Sequence, residues 1–213
     1  MRLLVTAFEP FAGDTLNASQ EAVQRLPSRI AGAGIVREIL PTMFGRALES
    51  LAELIERERP THVVCVGEAG GRAELCVERI AINVDDARLR DNAGRQPVDT
   101  PVVAGGPAAY FSTLPIKAMA AAIRAAGLPA AVSNSAGTYV CNHVFYGLLH
   151  LAATRYPKLR AGFIHVPCLP AQAAAHAGMP SLSATDTARG LVAALQAVVT
   201  VRKDLAVSEG REA

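Results

Sequence analysis

Cys141 and His165 are the residues whose types and settings best combine into chemistry. Cys141 follows Ser133-Asn134-Ser135-Ala136-Gly137-Thr138-Tyr139-Val140, a turn that leads from a short apolar strand into a helical segment. A thiol in the first turn of a helix meets unpaired N–H groups and the positive end of the helix dipole, which favour the thiolate. The same N–H groups can receive the oxyanion of a tetrahedral intermediate. His165, in Phe163-Ile164-His165-Val166-Pro167, ends a late apolar strand and is the imidazole placed to take the thiol proton. A carboxylate should orient that imidazole. Glu78, in the apolar run Cys76-Val77-Glu78-Arg79-Ile80-Ala81-Ile82-Asn83, is one candidate, and spacing alone ranks it no higher than Asp85, Asp86 or Asp91. Plainer readings stand beside these: a buried structural cysteine, a core histidine bonded to backbone, and an ordinary Glu–Arg ion pair. The strand–turn–helix placement lifts Cys141 above that background. His143 and His150 share its helix, but residues two apart point to different sides, and neither is given a role.

Two other chemistries fit less well. Cys141-x-His143 and His165-x-x-Cys168 supply sulfur and imidazole, yet Cys-x-His on a helix is poorly spaced for a tetrahedral zinc site. Gly67-Glu68-Ala69-Gly70-Gly71-Arg72 is not a G-x-G-x-x-G fingerprint, and a strand rather than a helix follows it. No metal and no cofactor are expected.

The elements that must position these residues alternate between β and helical periods, the pattern of an α/β fold. Strands are expected at Arg2–Ala7, Gly34–Leu40, Thr61–Gly67, Arg79–Val84, Ala130–Ser133 and Ala161–Val166. Helices are expected after an Asn17 cap, over Met43–Arg57 with Phe44, Leu48, Leu51 and Ile55 on one face, and from Pro115 to Gly127. Two more cover Tyr139–Leu151 and a final segment turning Leu191, Leu195 and Val198 inward. The segment from Asp85 to Pro107 is polar, rich in proline and glycine and without period, so it is expected to be functional or to lie at an interface. Ligands of such folds gather at the carboxyl ends of parallel strands, where Phe8, Phe11, Gly67–Arg72, Cys141 and His165 would meet.

The 213 residues are 51% apolar and 19% charged, enough for one sizeable core, so a single domain over 1–213 is expected, with 202–213 a fraying tail. A net charge of +2 without a basic run gives no footprint for nucleic acid. No apolar stretch approaches the ~20 residues of a membrane span. Glu9-Pro10 interrupts the N-terminus before a signal-peptide core forms, and four cysteines are too few for a disulfide framework. A cytoplasmic location with reduced thiols is expected, without membrane or nucleic-acid partners.

Gly67-x-x-Gly70-Gly71-Arg72 with Glu78-Arg79-Ile80-Ala81-Ile82-Asn83 resembles the glutamate signature of the pyroglutamyl peptidase I family, and Ser133–Asn142 resembles its cysteine signature. Phe8-Glu9-Pro10-Phe11, Asp85-Asp86-Ala87-Arg88, Tyr110–Pro115 and Phe163–Pro167 resemble further family segments, in order from Leu3 to about Leu195. The resemblance implies a three-layer α/β/α sandwich around a largely parallel twisted sheet. It implies a cysteine peptidase that releases N-terminal pyroglutamate from small peptides through a thioester. Glu78, Cys141 and His165 would be its catalytic residues, Arg88 an oxyanion auxiliary, and Phe8, Phe11, Thr42, Glu68, Tyr139 and Val140 its substrate contacts; Arg88 would bring the Asp85–Pro107 segment near the site, as a lid, an interface arm or both. A homotetramer is also implied. The chain departs from the family pattern at Ala7, Ala12, Glu68, Cys76 and Cys168, which bears on substrate affinity more than on the reaction. Two alternatives stay open. A glutaminase-like domain uses the same residue types with the cysteine first in the chain, and a zinc-stabilised or ligand-binding domain would have no turnover.

Overall fold

The computed structural model describes residues 1–210. Its main sheet has seven strands in the order β2-β3-β1-β4-β9-β5-β8. In chain order these are β1 (Arg2–Phe8), β2 (Arg29–Ile30), β3 (Ala33–Leu40), β4 (His62–Glu68), β5 (Leu75–Glu78), β8 (Ala130–Ser133) and β9 (Arg160–Val166). Strands β6 (Ile80–Ile82) and β7 (Ala109–Phe111) pair as a separate hairpin. The helices are α1 (Ala18–Gln24), α2 (Arg46–Glu58), α3 (Ile116–Ala125), α4 (Val140–Thr154), α5 (Pro170–Ala173) and α6 (Ala184–Thr200).

The side-chain alternation of β1 divides the core in two. Leu3, Val5 and Ala7 pack with α1, α3 and α6 on one face, and Leu4 and Phe8 pack with α2 and α4 on the other. The result is the expected three-layer sandwich. Strands β3, β1, β4 and β9 run parallel, while β5 lies antiparallel to β9 and parallel to β8. The site therefore does not assemble at one carboxyl edge. Glu78 comes to His165 sideways, from the neighbouring antiparallel strand.

Several elements differ from the sequence reading for identifiable reasons. In place of the single strand expected over Arg79–Val84 there are two, β5 over Leu75–Glu78, which was not expected, and β6 over Ile80–Ile82; they part at Arg79, whose N–H donates to Ser133 O while its carbonyl accepts from Ser112 N–H. The chain then leaves the main sheet as β6. Helix α2 begins at Arg46, not Met43, because Gly45 takes φ +75° and residues 42–45 form a turn. The C-terminal segment is held at least to residue 210. Asp204 accepts from the backbone N–H of Lys117 (3.1 Å) and Ala118 (2.9 Å), capping α3 where Pro115 offers no side-chain cap. Glu209 bonds Arg79 and Arg124. The expected fraying of 202–213 is thus replaced, over the described part, by a docked strap; the rest of that tail lies outside the described residues. No helix among the described residues is long and apolar enough to cross a membrane.

Candidate active site

Glu78 and His165 are both buried, and their pairing is direct. His165 Nδ1 lies 2.7 Å from Glu78 Oε1. A carboxylate oxygen accepts, so Nδ1 carries the proton and Nε2 is left to receive one. The same Oε1 accepts from the Arg72 guanidinium at 2.7 Å, and Arg72 also donates to Ser135 O at 3.0 Å. Arg72 thereby compensates a carboxylate that has no exposed surface.

Cys141 is the second residue of α4, whose N-cap, Tyr139, supplies no side-chain hydrogen bond. The orphan N–H groups of that first turn are available to an anion. Gly67 is the register partner of His165 across β4 and β9. A Cβ on Gly67 would stand 2.7 Å from Cys141 Sγ and 2.8 Å from Phe163 Cζ. The thiol is therefore seated in the hollow that glycine leaves, beside the histidine strand. Burial pushes the Cys141 thiol up to about 12, with Glu78 adding to the rise and Arg72 opposing it. That shift opposes the thiolate-favouring pull expected of the helix terminus.

A cavity of about 430 Å³ opens over Cys141 and His165. Phe8, Phe11, Thr42, Glu68, Tyr139, Val140 and Arg88 all border it. Phe11 and Tyr139 meet with ring centroids 6.0 Å apart, and Tyr139 stands edge-on to Phe44 at 5.4 Å. The segment after Asp85 does pack over this site: Asp86, Arg88 and Leu89 face the cavity, and Thr138 and Asp86 exchange hydrogen bonds. Among the described residues no group of three or more His, Cys, Asp or Glu side chains is placed to hold an ion. The Cys-x-His and His-x-x-Cys spacings do not fold into a chelate.

The pyroglutamyl peptidase family model matches residues 1–201. The pyrrolidone-carboxylate peptidase of Levilactobacillus brevis is 56% identical over 204 residues, covering 96% of this chain and all of the relative. The chain belongs to the pyroglutamyl peptidase family. A pyrrolidone-carboxylate peptidase of Ralstonia nicotianae is 54% identical, with 98% of each chain covered. The crystal structure of pyroglutamyl peptidase I from Bacillus amyloliquefaciens superposes with a TM-score of 0.95 at 43% identity, covering 97% of this chain and 99% of that one. The family's reaction is cysteine-dependent removal of an N-terminal pyroglutamate.

Against that family setting two positions stand out. Glu68 borders the cavity, but protein donors already occupy both its oxygens: Oε2 accepts from Ala18 N–H at 2.6 Å, and Gln172 Nε2 reaches Oε1 at 3.0 Å. It ties β4 to α1 and α5. Ala12 adopts φ +55°, a conformation that favours glycine. Sequence reasoning gave no role to Arg72, although it stood in the quoted Gly-Gly-Arg run; an arginine a few residues before a buried glutamate was the available signal.

Proposed function

We propose that this chain hydrolyses the amide bond after an N-terminal pyroglutamate, with Cys141 as nucleophile, His165 as general base and then acid, and Glu78 as the orienting carboxylate. The observation that carries this reading is the 2.7 Å Glu78–His165 bond behind a cavity that also exposes Cys141. The Sγ proton passes to His165 Nε2 as sulfur attacks the scissile carbonyl carbon. The resulting oxyanion is met by α4 backbone N–H groups and by Arg88. The C–N bond then breaks, His165 protonates the leaving amine, and water, deprotonated by the same imidazole, cleaves the thioester.

Pyroglutamate has no α-amine, so recognition must rest on apolar walls and hydrogen bonds to a flat lactam. Phe8, Phe11, Tyr139 and Val140 supply walls in this reading, with Thr42 and Glu68 at the polar rim. The remaining volume takes the next residue of the peptide. Assembly as a homotetramer and a cytoplasmic location complete the proposal; exposed Val98 and Phe111 are apolar surface that an interface would cover.

Hydroxylamine trapping tests the intermediate. Turnover in its presence should divide the acyl group between pyroglutamate and its hydroxamate while amine release is not slowed. Amine release with no hydroxamate at any hydroxylamine concentration would overturn the thioester.

A further inference from the structure

A second carboxylate–imidazole pair lies buried beside the first, and the reaction does not use it. His143 Nδ1 is 2.8 Å from Asp85 Oδ2, and both residues are about 6% exposed. On the other side of the ring, Nε2 accepts from the backbone N–H of Gly45 at 3.0 Å. The tautomer is fixed by these partners: Nδ1 donates and Nε2 accepts. His143 thus joins three pieces of chain that are distant in sequence. One is α4, two residues past Cys141; another is the segment bearing Arg88; the third is the 42–45 turn.

That turn matters because of what stands on it. Phe44 is edge-on to the His143 imidazole, with centroids 5.5 Å apart, and edge-on to Tyr139 on its other side. Tyr139 and Thr42 border the cavity. A continuous ring contact therefore runs from His143 through Phe44 to the substrate wall. The position of the Arg88 segment is held independently by Asn142, which bonds the backbone of Ile82 and Val84, and by Thr138. Loss of the His143 pair leaves those anchors in place; the turn keeps its bonds from Phe44 N–H to Asp91 Oδ2 (2.8 Å), from Arg95 to Phe44 O (2.8 Å) and from Asn92 N–H to Thr42 O (3.1 Å), and loses the one at Gly45 together with the ring packed against Phe44.

We infer that Asp85 and His143 are positioning residues for the aromatic wall of the substrate pocket, fixing the 42–45 turn, and not for the nucleophile. The inference rests on the pyroglutamyl peptidase reading given above. It separates binding from chemistry: His143→Ala, His143→Phe and Asp85→Ala each raise KM for a pyroglutamyl amide by about tenfold while kcat stays within about twofold, since a loosened wall weakens ground-state and transition-state binding alike. His143→Phe keeps ring volume against Phe44 and serves if the alanine variant does not fold. Asp85→Asn retains an acceptor for the Nδ1 proton and restores KM to within about twofold of the parent. A folded His143→Phe protein with unchanged KM, a fall in kcat at unchanged KM, or failure of Asp85→Asn to restore KM would each overturn the inference. Absence of cleavage by the unsubstituted protein would instead count against the peptidase reading itself, so the two failures are distinguishable.

Discussion

Replacing Gly67 by alanine isolates the placement of the thiol from every other property of the site. The glycine lies on β4 and its substitution needs no unusual backbone conformation. The added methyl would stand 2.7 Å from Cys141 Sγ and 2.8 Å from the Phe163 ring. Ordinary nonbonded contacts settle near 3.5–4.0 Å, so a displacement of about 1 Å must be shared between them. Phe163 is wholly buried and packs against Phe8, Phe145 and His165, so it has little room to retreat. Most of the shift falls on the thiol, and a misplacement of about 1 Å costs roughly 100-fold in rate. Overpacking also costs about 1–3 kcal/mol of stability. The assay is kcat and KM for fluorophore release from a pyroglutamyl amide, alongside a urea titration. Gly67→Ala should lose about 100-fold in kcat and unfold at lower urea. A rate within about threefold of the parent at unchanged stability would refute the placement of the thiol in that hollow.

Arg72→Met should lower kcat by roughly 100-fold and stability by about 3 kcal/mol, because it strands the buried Glu78 charge; kinetics and denaturant titration read both, and Arg72→Lys should restore them only in part. Because burial pushes the Cys141 thiol up to about 12, the thiolate fraction in the free protein grows tenfold per pH unit through pH 9 and beyond. Alkylation of Cys141 by iodoacetamide should rise over that whole range, and a plateau at neutral pH would show a standing thiolate instead. Phe8 is 2% exposed and Phe11 half-buried, so Phe11→Ala should raise KM by about tenfold with little loss of stability, whereas Phe8→Ala should also cost about 3–5 kcal/mol in unfolding.

Local patterns carried the element types well. Asn17 caps α1 by accepting from Ser19 N–H, Gly127 takes φ +79° after α3, and β8 and α4 frame Cys141 as the Ser/Gly turn implied. Leu75–Glu78 was not read as a strand of its own, and its direction was not readable either, since a short apolar run looks the same whichever way it enters a sheet. Partners distant in sequence were equally hidden: Asp85 meets His143, and Phe44 N–H donates to Asp91, only after the chain has folded back on itself. The rise of the Cys141 thiol was missed for a related reason, because burial is a property of the assembled core and the helix terminus is a local one.

Removal of the Cys141 thiol decides whether it is the nucleophile of pyroglutamyl amide hydrolysis. Fluorophore release from a pyroglutamyl amide, with reductant and EDTA present, should be observed for the unsubstituted protein and abolished in folded Cys141→Ala. Cys141→Ala retaining more than about a tenth of the rate would contradict the account, because loss of a covalent nucleophile removes many orders of magnitude.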